Sequence, residues 1–154
     1  MTKRIRAGSA VLLVVAVLVA ACQSIPAVAS LVPTAGPLVT VTTRGGECPE
    51  GPCGSITIIE RDGRLHMTQP EIAEFGTIPA AAFNALEAAV ESTDFAAIRT
   101  KPFRGECPVN FDGQEAIYEF ATSSGIERLE SCQVEIDPAH PLFAALTTAM
   151  QAVP

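Results

Sequence analysis

The chain has 154 residues, of which 48% are hydrophobic and 18% are charged, and its formal net charge is −7. This length corresponds to one domain of ordinary size. Lys3, Arg4 and Arg6 supply three of the positive charges, so the rest of the chain carries −10. Because phosphate binding requires a basic surface, this composition argues against nucleic acid as a partner.

The first 21 residues have the organisation of an export signal. The three cations precede an uncharged, apolar run at residues 10–21, which ends at Cys22. A membrane-spanning helix needs about 20 apolar residues, so this run is too short for a permanent span. We therefore predict that residues 1–21 are a cleaved signal peptide.

The residues Val19-Ala20-Ala21-Cys22 resemble the bacterial lipobox, in which an aliphatic and two small residues precede a lipidated cysteine. The resemblance implies that Cys22 carries a diacylglyceryl thioether and an amide-linked acyl chain such as palmitate. Two or more chains hold a protein on its membrane. The predicted location is the cell envelope, with lipid anchoring to the outer membrane or cell surface. Secretion is the alternative, because Ala27-Val28-Ala29 offers a later cleavage site.

Residues 22–37 are predicted to form a tether between the anchor and the folded part. They contain Pro26, Pro33 and Pro37 among alanine, serine and valine, with no charge and no sustained period. Such a composition is typical of linkers. Residues 38–154 then remain as a single domain.

The first half of this domain reads as a strand followed by a hairpin. Residues 38–43 alternate in the manner of a strand, and residues 55–68 form two β-rich arms around Asp62-Gly63. A two-residue loop pairs Ile58 with Met67. This register assigns Ile56, Ile58, Leu65 and Met67 to the core face, and Thr57, Ile59, His66 and Thr68 to the opposite face.

An amphipathic helix is predicted next. Pro79 fits the first turn, and Phe83, Leu86 and Val90 recur at helical spacing before Ser92. This stripe is expected to lie on the sheet.

A second cycle of hairpin and helix follows. Residues 116–122 and 126–133 are strand-like around a turn near Ser124-Gly125, a register in which Phe120 faces Leu129. The last helix carries an apolar stripe of Leu142, Phe143, Leu146, Met150 and Val153.

The predicted element order is therefore β-ββ-α-ββ-α. Hairpins that alternate with helices favour an α+β fold, with an antiparallel sheet of about five strands and two helices packed on one face. The segment at residues 94–98 is expected to dock on the core through Phe95.

Four cysteines remain after the predicted lipidation site. Because export implies an oxidising compartment, we predict the disulfides Cys48–Cys53 and Cys107–Cys132, the most local of the three possible pairings. A four-thiolate zinc site is the alternative, but C-x4-C followed by two separate cysteines lacks the paired C-x2-C knuckles of zinc sites. We therefore predict a disulfide-stapled domain with no metal and no other cofactor.

Side chains suited to catalysis are few. His66 and His140 are the only histidines, and no G-x-S-x-G, H-E-x-x-H or Walker loop is present. In the predicted register, Glu119 lies opposite Glu130 with Arg128 diagonal to it, and two facing carboxylates can act as acid and base. We predict no catalytic residue. A small hydrolase or metal-binding protein that uses His66 or this acidic face is the alternative hypothesis.

The stretch at residues 110–115 spaces its acids and glycine rather as a calcium loop does. Pro108, which has no side-chain ligand, occupies the first position of that pattern. A tight turn through Asp112-Gly113 is the favoured interpretation.

Several features together resemble small exported bacterial domains of unknown function. They are Gly46-Glu47-Cys48-Pro49, an isoleucine-rich strand that ends in Asp-Gly, a helix followed by Asp94-Phe95, and a second hairpin and helix. The element order is also similar to that of emfourin, an inhibitor of thermolysin-type proteases. The similarity concerns element order, and no inhibitory residue corresponds position by position.

The function predicted from the sequence is that of a non-enzymatic, monomeric envelope lipoprotein that contacts the membrane through its lipid and binds another protein. Its binding surface is expected in two disulfide-fixed loops, at residues 47–54 and 104–114. The candidate binding residues are Glu47, Pro49, Glu50, Arg104 and Asp112.

Overall fold

The computed structural model describes residues 36–48 and 51–154. All of these residues belong to one compact unit. The predicted signal peptide, the lipidation site Cys22 and most of the predicted tether lie outside the described residues.

The described chain forms a six-stranded antiparallel sheet, a small two-stranded ladder and three α-helices. The strands are β1 (Pro37–Arg44), β2 (Glu47–Cys48), β3 (Gly51–Pro52), β4 (Ser55–Glu60), β5 (Arg64–Gln69), β6 (Ala73–Thr77), β7 (Glu115–Thr122) and β8 (Gly125–Glu130). The helices are α1 (Ala80–Ser92), α2 (Phe95–Arg99), α3 (Pro141–Gln151) and a short 3-10 helix at Pro108–Phe111. The strand order is β6-β5-β4-β1-β7-β8, and β2 pairs with β3.

The predicted α+β class is confirmed, with six strands in the main sheet where about five were expected. The additional strand is β6, whose sequence Ala-Glu-Phe-Gly-Thr has a single large apolar residue and an interior glycine. Neither feature is typical of strands. β6 is therefore a strand because of its pairing with β5, and its own sequence does not predict it.

The first hairpin has a different register from the one predicted. Its loop contains residues 61–63, because Gly63 has φ +82° and its N–H donates to the Glu60 carbonyl oxygen at 2.9 Å. A turn followed by a left-handed glycine makes a three-residue loop. Ile59 consequently pairs with Leu65, one residue away from the predicted register.

This shift exchanges the two faces of β4, because alternate side chains point to opposite sides of a strand. Ile59, predicted on the outer face, is buried at 1% exposure beside Leu65 at 4%. Ile56, Ile58 and Met67, predicted in the core, are only half-buried.

The second hairpin also differs from its prediction. Thr122 pairs with Gly125 around a two-residue turn, and the Thr122 hydroxyl donates to the Gly125 carbonyl oxygen at 2.9 Å. Leu129 therefore lies opposite Tyr118 and not opposite Phe120. Because the shift is of two residues, every side chain keeps its predicted face.

The core lies between one face of the sheet and the helices. The predicted stripe of α1 is buried at Leu86 and Val90, and Phe95 of α2 is buried as expected for the docking segment. Asp94 caps α2, its Oδ1 accepting the Ala97 N–H at 2.9 Å. The fully buried large side chains are Phe120, Leu38, Ile59, Leu86, Leu129, Leu142, Val39 and Val90.

Candidate functional site

Two loops meet at the end of the sheet where β1 ends and β7 begins. Their contact is close: a β-carbon added to Gly45 would lie 2.9 Å from the Gly113 carbonyl oxygen and 2.9 Å from Val109 Cγ2. One added to Gly46 would lie 3.3 Å from the Asp112 carbonyl oxygen. Gly45 and Gly46 also have φ of +91° and +82°, which favours glycine at both positions. We call residues 45–48, 53 and 107–113 the platform.

Both predicted disulfides are present and each fixes one loop of the platform. Cys48–Cys53 closes the tip that carries β2 and β3, and Cys107–Cys132 ties the start of the 3-10 helix to the segment after β8. The Cα–Cα distances are 5.3 Å and 5.2 Å, within the usual disulfide range. The platform backbone is therefore held at both loops by covalent bonds.

The platform presents two apolar side chains to solvent. Phe111 is 66% exposed and Val109 is 38% exposed. Their backbone is closed by two hydrogen bonds, in which the Asn110 N–H donates to Cys107 at 3.0 Å and the Gly113 N–H donates to Pro108 at 2.8 Å. A preorganised turn thus displays an aromatic ring that the core does not use.

Two of the predicted binding residues, Glu47 and Asp112, lie in the platform, and Arg104 lies three residues before its second loop. Glu47, Arg104 and Asp112 are exposed, and none of them forms an ion pair with another described residue. Pro49 and Glu50 lie outside the described residues.

Sequence reasoning missed the two apolar residues of the platform. The available signal was the pair Val109 and Phe111 in a proline- and glycine-containing loop, at a spacing that fits neither helix stripe nor strand of the predicted core. Large apolar residues without a place in the core are candidates for contact with another molecule.

An ion-pair network lies beneath the platform. Glu115 is 3% exposed and its carboxylate accepts the Arg44 Nε–H at 2.7 Å, while the Arg44 guanidinium also lies 3.6 Å from the Glu130 carboxylate. These contacts join the end of β1 to β7 and β8. A buried carboxylate is tolerated because its charge is paired and hydrogen-bonded.

The predicted facing carboxylates are separated by the observed register. Glu119 lies opposite Arg128, and Glu130 lies opposite Ile117. Arg128 donates to Glu119 at 2.7 Å and to Glu130 at 2.9 Å. Its hydrogen bonds to Glu130 and Glu119 raise the pKa of the Arg128 guanidinium. The two carboxylates suggested as an acid and a base are therefore not adjacent, and each forms an ion pair with Arg128.

Potential metal ligands converge at one place in the described part of the chain, namely Cys107, Glu115 and Cys132. The two sulfurs are joined to each other, and the carboxylate accepts a hydrogen bond from Arg44. Asp112 belongs to no such group within residues 36–48 and 51–154. It ends the 3-10 helix in a left-handed conformation with φ 58°, as a turn residue does.

One histidine caps a helix, and the other is nearly buried in the sheet. His140 caps α3, its Nδ1 accepting the Leu142 N–H at 3.3 Å. His66 lies on the predicted outer face but its side chain is only 12% exposed, and its Nδ1 is buried with no described hydrogen-bond partner. The His66 Nε2 is 3.8 Å from the Glu60 carboxylate, longer than a hydrogen bond.

Comparison of the chain with protein-family models, with curated proteins and with solved structures found no match in any of the three. None of the helices in the described ranges has the length and hydropathy of a membrane-spanning segment. The site itself is therefore the basis for a functional assignment.

Proposed function

We propose that this protein is a lipid-anchored lipoprotein of the cell envelope that binds another protein through the platform and is not an enzyme. The observation that carries the proposal is the exposed Phe111, displayed with Val109 on a loop that a disulfide and two hydrogen bonds hold in shape. Aromatic residues contribute a large share of binding energy at protein interfaces.

The rigidity of the two loops supports binding. A loop that is already ordered loses less conformational entropy when a partner arrives, so more of the contact energy appears as affinity. Glu47 and Asp112 are exposed polar residues of the platform, and Arg104 is exposed three residues before its second loop. An apolar centre with a polar rim is the usual anatomy of an interface.

The position of the platform relative to the tether supports contact with a partner away from the membrane. Pro37, at the start of β1, pairs with Glu60, whereas Arg44, at the end of β1, pairs with Glu115. Eight residues of strand separate the two ends by about 20 to 25 Å. A chain anchored at Cys22 would therefore enter the domain at the start of β1, which is the end of the sheet remote from the platform.

The anchor is tested by metabolic labelling with radiolabelled palmitate. We expect the full-length protein to be labelled and recovered with membranes, and Cys22→Ala to lose both properties, because the thiol is the acceptor of the lipid. Ser24→Ala, two positions away, is the matched control and should remain labelled. An unlabelled wild-type protein, or label retained by Cys22→Ala, would contradict the anchor.

The binding surface is tested by quantitative pull-down from envelope extracts with the full-length protein. Replacing Val109 and Phe111 together by serine is expected to reduce recovery of the bound partner by about tenfold or more, because the apolar centre of the interface is lost. Ile126→Ser is the matched control, since Ile126 is 72% exposed but lies near the tether end of the sheet. Purified thermolysin is included as a probe because of the similarity to emfourin.

Comparison of the two variants distinguishes binding at the platform from non-specific binding to exposed apolar residues. If the platform variant and the Ile126 variant retain every captured protein equally well, the platform is not the binding surface. Loss confined to the Ile126 variant would have the same consequence.

A further inference from the structure

The two edges of the main sheet are protected differently. At the β8 edge, the Arg99 guanidinium of α2 donates to the Arg128 carbonyl oxygen at 3.3 Å and pairs with the Glu127 carboxylate. At the β6 edge, no strand in the described part of the chain pairs with the outer side. An unpaired edge presents backbone N–H and C=O groups that can bind an added strand.

An apolar groove lies on one face of β4, β5 and β6, next to the C-terminal residues, and reaches β6 at Phe75. It has a volume of about 390 Å³. Phe75 is 46% exposed, and Ile72, just before β6, is 83% exposed. The groove is lined by Thr57, Leu65, Phe75, Met150, Val153 and Pro154.

A bulge in β6 directs Phe75 into this groove. Glu74 and Gly76 pair with adjacent residues of β5, and Phe75 between them has no partner in the ladder. Bulges of this kind re-aim a side chain. Gly76 has φ +127°, and a β-carbon there would lie 3.0 Å from Val153 Cγ1, so glycine permits the strand to approach the C-terminal residues.

The charges along this edge are negative. Glu71 and Glu74 are exposed, and neither forms an ion pair within residues 36–48 and 51–154. Arg64 on the neighbouring strand is hydrogen-bonded to Asp62 at 2.9 Å. The pair of glutamates therefore remains available to a cationic ligand.

We infer that the outer edge of β6 binds an extended segment of a partner protein as an additional strand, and that this segment alternates apolar with basic residues. Backbone hydrogen bonds to the edge would supply much of the affinity, and pockets for alternate side chains would supply specificity. The apolar side chains enter the groove beside Phe75, and the basic side chains lie on the other face near Glu74. This surface is separate from the platform and does not depend on the function proposed for it.

A second copy of the chain is a poorer occupant of the same edge. Antiparallel pairing of β6 with another β6 would place two negatively charged edges, each with Glu71 and Glu74, next to each other, and like charges on neighbouring strands are destabilising. Each copy also carries a net charge of −7.

The experiment uses the full-length protein and a capped peptide of about six residues that alternates valine with lysine. A valine and glutamate peptide of the same length tests charge. A valine and lysine peptide N-methylated at alternate amides tests backbone pairing. We expect the lysine peptide to bind at least about tenfold more tightly than either comparison peptide and to slow hydrogen exchange of the β6 amides.

Variants identify the surface. Phe75→Ser and Ile72→Ser are each expected to weaken binding of the lysine peptide by about tenfold, and Ile72 is exposed enough that its replacement leaves folding intact. Phe111→Ser on the platform should leave peptide binding unchanged. Equal binding of the glutamate or N-methylated peptide, unchanged binding by both edge variants, or self-association through β6 would overturn the inference.

Discussion

Replacing Phe120 with alanine is expected to lower the free energy of unfolding by about 3 to 5 kcal/mol. The side chain is fully buried, and its ring centroid lies 5.6 Å from that of Phe95 and 6.3 Å from that of Phe143. The substitution removes contacts between the sheet, α2 and α3 at once and leaves a cavity that a packed core cannot close. Urea denaturation of the full-length protein measures the loss.

Phe111→Ala is the matched control, because the chemical change is identical and Phe111 is 66% exposed. We expect this variant to remain within about 0.5 kcal/mol of the wild type, as is usual for exposed positions. A large loss for Phe111→Ala would mean that this ring serves folding, and the platform would then have no aromatic side chain free to bind a partner. A loss below about 1 kcal/mol for Phe120→Ala would contradict the assignment of the core.

The helices were predictable because their periodicity is local. Leu86 and Val90 recur at the spacing of one helix face, and both are buried in α1. Burial of Phe95 in α2 likewise follows from a single aromatic in a short apolar segment. Helix geometry needs only neighbouring residues, so a short stretch of sequence carries the whole signal.

Strand registers were less predictable because one loop residue decides them. The sequence Arg61-Asp62-Gly63-Arg64 is compatible with two-residue and three-residue loops, and only the second gives Ile59 a core position. The second hairpin shows the same dependence, because the hydrogen bond from the Thr122 hydroxyl to Gly125 favours a two-residue turn that shifts the predicted register by two residues. The predicted pair Glu119 and Glu130 depended on that turn.

The sequence predicts which loops form the platform, but it does not predict that the side chains they expose are apolar. The two local cysteine pairs indicate fixed loops, whereas the contact of Gly45 with Val109 joins segments that are far apart in the sequence. A polar residue such as Asp112 is readily predicted as a binding residue because its side chain can form hydrogen bonds and ion pairs. The exposure of Phe111 becomes visible only when the core is known to be filled without it.

Removing the Cys107–Cys132 disulfide by changing both cysteines to alanine is expected to lower the free energy of unfolding by about 3 kcal/mol. The bond closes a loop with a sequence separation of 25, so it restricts the unfolded chain considerably. Removing Cys48–Cys53, with a separation of only 5, is expected to cost about 2 kcal/mol on the same chain-entropy estimate. Urea denaturation without reductant compares the two double variants.

The order of the two losses distinguishes chain entropy from local packing. A larger loss for the Cys48 and Cys53 variant would contradict the entropy argument and would mean that the tip of the loop stabilises the platform directly. Cys107 is the N-cap of the 3-10 helix that carries Val109 and Phe111, so its release also removes the preorganisation of that pair. Partner capture should therefore fall in the Cys107 and Cys132 variant even at temperatures where the protein stays folded. If capture is unchanged while stability falls, the disulfide serves the fold alone, and the shape of the loop is maintained by its hydrogen bonds and its contact with Gly45.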